Sequence, residues 1–350
     1  VKNGPDIKGF DRYYGHCGSL DMAPYVWVDT GKVTALPDRM EGVTSKQDRY
    51  GWYRKGPMGS DFHIDEVLPH LFDKSIAYVK ERAKTKKPFF LYMSHYAVHS
   101  PFNSDPRFAD NYKDSKKPKN AQAYATLIEG IDKSLGDLMD HVASKGEAEN
   151  TLVLFVGDNG SDAPLGPVHG YSSSFPLRGK KGTCYEGGMR VPFIAGWAKP
   201  GKKNTFPIAR DSLHTDQIGT VMDLYSTILE TAGVKNPSGH VVDGVSLLKQ
   251  FTGKGNPDRP NHFMCHFPHS HRSSNFTAFR QGDWKLIYRY KGKAKYELYN
   301  LGKDPFETNN LAESEPSKLK EITKAMVARL EKEDALYISE GGKELKPLIP

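Results

Sequence analysis

The run Thr151-Leu152-Val153-Leu154-Phe155-Val156 has no polar alternation. A strand of this kind must be covered on both faces, so it limits the folds open to the chain. Just upstream, residues 119–144 carry Ala123, Leu127, Ile131, Leu135, Leu138 and Val142 at steps of three and four, which predicts an amphipathic helix. The pairing recurs. Residues 70–84 predict a helix on Leu71, Ile76 and Val79, ended by Lys87-Pro88, and 89–93 predict a buried strand. Residues 191–197 predict another strand, and 215–232 a helix stopped at Gly233. Apolar strands alternating with helices imply an α/β fold: a mostly parallel sheet covered by helices on both faces. Functional loops in such folds lie beyond the carboxyl ends of the strands. His95 and His99 follow the first predicted strand, and Asp158 and Asn159 the second.

The pattern changes near residue 255. Residues 276–280, 284–290 and 296–300 alternate in strand fashion, separated by Gln281-Gly282-Asp283 and Lys291-Gly292-Lys293. A charged helix over 315–335 follows, with Leu319, Ile322, Met326 and Leu330 on one side. We therefore expect a main α/β domain over 1–255 and a smaller C-terminal subdomain over 256–350, an antiparallel sheet plus a helix. Residues 1–65, rich in Gly, Pro and aromatics, are expected to form long loops with short strands.

Composition narrows the classes. No apolar run approaches the ~20 residues of a membrane helix. Charged residues are 26% and aromatics 11%, which excludes global disorder. The net charge of +7 admits a polyanionic partner. The basic residues are dispersed rather than gathered on one face or tail, which argues against nucleic acid. Cys17, Cys184 and Cys265 are far apart and leave at least one free thiol. The chain opens at Val1 on polar residues, as expected of a fragment or a processed product.

Several motifs carry chemistry. Asp158-Asn159-Gly160 offers two hard oxygen donors suited to Ca²⁺ or Mg²⁺, and also reads as a plain strand-end turn. Calcium takes about 6–8 oxygens, so further donors are needed. The segment 177–190, Leu-Arg-Gly-Lys-Lys-Gly-Thr-Cys-Tyr-Glu-Gly-Gly-Met-Arg, joins glycines that allow close backbone approach to lysines that can meet an oxyanion. It is not a P-loop, because Ser174 stands where the first glycine belongs and Lys181 where Ser or Thr must follow the lysine. His262, Cys265, His266, His269 and His271 crowd a Pro-broken stretch running into Arg272. That stretch could be a substrate-facing polar loop, a zinc site or packing. Asn275-Phe276-Thr277 and Asn159-Gly160-Ser161 fit the glycosylation pattern.

Taken in order, these blocks resemble the sulfatase family of the alkaline-phosphatase superfamily. The likeness begins at Gly9-Phe10-Asp11-Arg12-Tyr13-Tyr14-Gly15. It continues through Pro88-Phe89-Phe90-Leu91-Tyr92 with His99-Ser100-Pro101, and through Gly157-Asp158-Asn159-Gly160. The segment 177–190, followed by Val191-Pro192, is its most specific part. Asp223-Leu224-Tyr225-Ser226-Thr227, Asp243-Gly244-Val245-Ser246-Leu247-Leu248, and Leu298-Tyr299-Asn300-Leu301 with Asp304-Pro305-Phe306-Glu307 complete it.

The resemblance implies an alkaline-phosphatase-like fold and a sulfuric ester hydrolase using one divalent cation, Ca²⁺ ahead of Mg²⁺. Asp158 and Asn159 would hold the metal. Lys181 would contact the sulfate and the bridging oxygen, and His99 would protonate the leaving alcohol. Family members also carry a paired-aspartate metal motif, a Cys/Ser-x-Pro-x-Arg motif whose first residue becomes the formylglycine nucleophile, and a Gly-Lys-Trp-His-Leu-Gly segment. None of these is in this sequence. The chain is therefore expected to be the larger C-terminal portion of a sulfatase and inactive alone.

His266, His269, His271 and Arg272 lie where such enzymes vary their substrate contacts, and their cationic character suits a sulfated carbohydrate. A phosphodiester or phosphonate hydrolase of the same superfamily and an inert carbohydrate- or calcium-binding fragment remain open. The family implies a periplasmic or secreted location.

Overall fold

The structure, a computed structural model, describes residues 3–43, 51, 53–85, 87–162, 174–209, 217–270, 275–292 and 295–350. These residues fall into two compact units, one of 3–151 with 198–203, the other of 152–162, 174–197 and 204–350.

In the first unit, β1 (Tyr14–His16), β2 (Trp27–Asp29) and β3 (Lys32–Val33) form an antiparallel sheet. A second pair joins β4 (Pro37–Glu41) to β5 (Gly56–Gly59). Two helices follow, α1 (Val67–Thr85) and α2 (Lys119–Ser144). α1 begins before the expected residue 70 because Pro69 is tolerated in a first turn, where its missing N–H has no intrahelical role. On α2 the expected stripe is confirmed at Ala123, Leu127 and Val142, which are buried. Ala123, Tyr124 and Leu127 meet Leu68 and Phe72 of α1 together with Phe102. Burying each large side chain stabilises the pair by about 1.5–3 kcal/mol.

In the second unit, β6 (Leu152–Val156) pairs with β7 (Phe193–Trp197). The one-turn helix α3 (Glu186–Met189) precedes β7, and α4 (Asp223–Thr231) and α5 (Leu248–Phe251) follow it. A four-stranded antiparallel sheet comes next: β8 (His262–Phe267), β9 (Phe276–Gln281), β10 (Trp284–Arg289) and β11 (Tyr296–Asn300), in spatial order β11-β10-β9-β8. Helix α6 (Pro316–Lys332) lays Leu319, Ile322, Met326 and Leu330 against Phe279, Leu286, Tyr288 and Leu298. The expected C-terminal sheet and helix are thus present.

Other expectations are corrected. Every ladder between strands in the described residues is antiparallel, β6 with β7 included; only the isolated bridges Tyr25–Met58 and Val43–Arg54 are parallel. The expected parallel sheet is therefore not found among the described residues. Residues 89–93 form no strand, and Phe89, Phe90 and Tyr92 are exposed. An apolar run becomes a strand only where a neighbour completes its hydrogen bonds, and the described residues supply none there. The helix expected from 215 starts at Asp223. Its carboxylate accepts the N–H of Thr220 at 2.6 Å and of Val245 at 2.8 Å, which fixes 220–222 as a turn. Residues 262–267, for which a polar loop, a zinc site and packing were all open, form edge strand β8, because Phe263, Cys265 and Phe267 alternate with His262, Met264 and His266 and find β9 as a partner. Among the described residues no helix is long and apolar enough to cross a membrane.

Candidate active site

Two loops of the second unit are laced together at the end of β6. Asp158 and Asn159 form the turn that leaves the strand, and Asp158 Oδ1 accepts the Asn159 N–H at 2.9 Å. Gly157 N–H donates to Pro192 O at 3.0 Å, and Gly160 N–H to Gly188 O at 2.9 Å. Lys181 N–H donates to Ser161 O at 3.1 Å. These bonds bring Asp158, Asn159 and the backbone of Lys181 into one assembly. The glycines are required by the approach. A Cβ on Gly160 would collide with the backbone of Gly187, and one on Gly188 would lie 2.6 Å from Lys180 O. Lys180, the preceding residue, pairs with Asp162 at 3.3 Å.

The Lys181 loop is fixed from below by the C-terminal sheet. Arg178 Nη1 donates to Tyr299 Oη at 3.0 Å and to Glu307 O at 2.9 Å. Its guanidinium lies over the Tyr185 ring at 3.8 Å. Tyr185 Oη and Tyr299 Oη both donate to Glu297 Oε2 at 2.8 Å, and Arg289 Nε donates to Glu297 Oε1 at 2.7 Å. Burial pushes the Glu297 carboxyl up, but the hydrogen bonds from Tyr299, Tyr185 and Arg289 outweigh it and hold its pKa below the ordinary value. Lys285 Nζ lies between Glu186 Oε1 at 2.8 Å and Glu307 Oε1 at 2.7 Å, with all three side chains buried. Arg178, Glu186, Lys285 and Glu307 were not among the residues singled out for a role. Arg178 and Glu186 lie in the 177–190 segment and Glu307 closes the Asp304-Pro305-Phe306-Glu307 block, but Lys285 carries no such signal.

His99 belongs to the first unit. Its ring is exposed, and Nδ1 donates to Ser100 O at 2.7 Å, with Ser19 Oγ 3.4 Å away. That bond places the neutral ring's proton on Nδ1 and leaves Nε2 to take up and deliver a proton. His95 differs. It packs on Phe72 at 4.5 Å between ring centres, and burial together with Arg107 lowers its pKa to about 4.

The histidine-rich stretch divides. His262 stacks on Phe279. His266 Nε2 donates to Leu336 O at 2.7 Å, and its Nδ1 accepts from Thr277 Oγ1 at 2.8 Å, so both ring nitrogens are engaged by the fold. His269 is exposed beside Phe267. His271 and Arg272 lie outside the described residues. Among the described residues no three His, Cys, Asp or Glu side chains gather as a metal site, so the zinc reading has no support there. The Asn275 sequon is closed, because Asn275 is buried with its Nδ2 donating to Pro268 O and Thr277 is fully buried.

The donor set at 158–159 can be weighed for a hard cation. Asp158 is exposed, and among the described residues no hydrogen bond engages its Oδ2 or the Asn159 side chain. Adjacent carboxylate and amide oxygens fit part of a Ca²⁺ or Mg²⁺ shell, and the remaining donors must come from elsewhere. Cys184 is buried and Cys265 half-buried, and burial raises both thiols, which is the reverse of nucleophile activation.

A family model described as Sulfatase matches residues 8–234, and one described as N-sulphoglucosamine sulphohydrolase, C-terminal, matches 179–335. The chain belongs to the sulfatase family. It is 35% identical over 280 residues to a sulfatase of Formosa agariphila, covering 74% of this chain and 48% of that protein. It is 34% identical over 237 residues to the N-acetylgalactosamine-6-sulfatase of Canis lupus familiaris, covering 68% and 41%. The chain thus spans less than half the length of these relatives. A solved chain from work on the metabolism of multiple glycosaminoglycans by Bacteroides thetaiotaomicron superposes with a TM-score of 0.72 at 20% identity, covering 94% of this chain and 74% of that one, and shares the fold.

Proposed function

We propose that the protein containing this chain hydrolyses sulfate esters of a carbohydrate. The observation that carries the reading is the pair of backbone bonds joining the Asp158–Asn159 turn to the loop of Lys181. Oxygen donors for a cation and a lysine carried on loops bonded to each other suit the charge that builds on sulfuryl oxygens. Asp158 and Asn159 hold the divalent cation, Ca²⁺ ahead of Mg²⁺, through their side-chain oxygens. A cation held by Asp158 and Asn159 would supply positive charge toward the sulfuryl oxygens. Lys181 binds the sulfate and the bridging oxygen. His99 is assigned the protonation of the departing alcohol through Nε2. None of Cys17, Cys184 and Cys265 has the Pro-x-Arg context of a formylglycine precursor. In this reading the nucleophile and the other metal donors stand upstream of residue 1, and the 350-residue chain alone does not turn over.

His269, His271 and Arg272 are assigned to the sugar. His266 has both ring nitrogens bonded to Thr277 and Leu336 and is not assigned to the sugar. An anionic sugar suits these cationic groups and the net charge of +7. The canine relative acts on N-acetylgalactosamine 6-sulfate by its name, so a sulfated hexosamine is the first substrate to try. Such a substrate is met in the periplasm or outside the cell, and the protein is placed there.

The test uses the full-length protein. Sulfate release from sulfated hexosamine oligosaccharides should disappear on chelation and return with Ca²⁺ more fully than with Mg²⁺. His269→Ala with Arg272→Ala should lower turnover of the sugar sulfate while sparing a small aryl sulfate. Faster hydrolysis of a phosphodiester or phosphonate ester would move the protein to the other branch of the superfamily. Binding of the oligosaccharide with no hydrolysis would leave a binding protein.

A further inference from the structure

The loop that carries Lys181 is seated on a buried charge cluster that none of the roles above uses. Glu186, Lys285 and Glu307 come from three places in the chain, α3, β10 and the loop after β11, and Lys285 and Glu307 are 2% and 0% exposed. Glu307 grips both ends of the loop. Its backbone carbonyl accepts from Arg178 at 2.9 Å, and its carboxylate Oε2 accepts the Glu186 N–H at 2.6 Å. Lys181 lies between those two anchor points. Glu307 does this from a left-handed backbone, φ 55°, which a non-glycine residue adopts only when its surroundings impose it. The cluster sets two buried carboxylates against Lys285, with the exposed Arg190 3.6 Å from Glu186, and hydrophobic residues of similar volume would often be as stable as such buried charges. Strain and buried charge kept together under one loop indicate that geometry is being held there.

We infer that the Glu186–Lys285–Glu307 triad is a positioning device that sets the Lys181 loop, acting on the reaction through Lys181 without touching substrate. This rests on the reading of Lys181 as the sulfate-binding group. Glu307 offers acceptors to two donors at once, Lys285 Nζ and Glu186 N–H. A glutamine keeps the volume but turns one acceptor into a donor, so one of the two contacts must break. It leaves Glu186 and Lys285 as a balanced pair, so the variant should fold.

The experiment is a double-mutant cycle in the full-length protein, with Lys181→Ala, Glu307→Gln and both together, followed by sulfate release and by inhibition with inorganic sulfate. Loss of register of about 1 Å costs on the order of 100-fold in rate. Glu307→Gln should lower kcat/KM by roughly that factor and weaken sulfate inhibition, with the thermal unfolding midpoint nearly unchanged. In the Lys181→Ala background it should cost almost nothing further, because the object being positioned is gone. Arg178→Met, which removes the other anchor, should behave in the same way. Activity of Glu307→Gln within twofold of wild type, or losses that simply add to those of Lys181→Ala, would overturn the inference. Failure of both Glu307→Gln and Arg178→Met to fold would also overturn it, by showing a support of the core only. A fully active Lys181→Ala protein would instead overturn the reading of Lys181 itself.

Discussion

Two sets of strands in the second unit are built from comparably apolar runs and end in different states. In β9, β10 and β11, Phe279, Leu286, Ile287, Tyr288 and Leu298 are each at most 3% exposed, with α6 laid over one face of the sheet. In the ladder of β6 and β7 no residue is fully buried, and Ile194 is 63% exposed. The proposed metal pair stands at the end of the sparsely covered ladder. The loop of Lys181 leans on the covered sheet through Arg178, Glu186 and Tyr185. The Lys181 loop thus takes its support from the C-terminal sheet.

The contrast can be broken at several points. The largest effect on stability should come from Lys285→Met, which leaves Glu307 buried without its cation and Glu186 with only the exposed Arg190, 3.6 Å away. A loss of about 3–5 kcal/mol is expected in denaturant unfolding, and a loss below 1 kcal/mol would mean water already reaches the triad. Next is Leu286→Ala at the centre of the sheet, expected to cost about 3 kcal/mol from lost contacts and the cavity left.

A smaller effect depends on pH. Burial pushes the Glu307 carboxyl above its ordinary value, against the pull of Lys285. A raised folded-state pKa contributes stability that is fully present below the unfolded value, about 4.3, and lost as pH rises through the folded one. Glu307→Gln does not titrate, so its stability should gain on wild type as pH rises from the ordinary carboxylate range to neutrality. A difference that stays flat across that range, read from unfolding midpoints, would contradict this. The smallest effect should be Ile194→Ser in the 350-residue chain, within about 0.5 kcal/mol for an exposed site. A larger loss there would remove the contrast between the two sets of strands.

What could be read from the sequence follows from how local each signal is. The stripe of α2 and the hairpins of the C-terminal sheet declare themselves within a dozen residues, through periodicity and turn chemistry. The run at 89–93 looked like a strand for the same reason, yet pairing depends on a neighbour that no local pattern supplies. Strand β8 was hidden by its histidines, whose polarity suggested a loop, although His266 spends both nitrogens inside the fold. In the site, Asp158 and Asn159 offer oxygen donors at a strand end but also fit a plain turn, and the roles of Asp158, Asn159 and Lys181 follow from the family resemblance of the ordered blocks. The contacts of Glu186 with Lys285 and Glu307 span about a hundred residues or more, and only the folded chain reveals them.

The proposed function assigns sulfate binding to Lys181 and not to its neighbour Lys180. The most direct measurement is kcat/KM for sulfate release by the full-length protein carrying Lys181→Ala or Lys180→Ala. Removing a group that stabilises developing charge costs about 10²–10³-fold, and this loss is predicted for Lys181→Ala. Lys180, paired with Asp162, should tolerate alanine within a few-fold. Equal losses at both positions, or the larger loss at Lys180, would contradict the account.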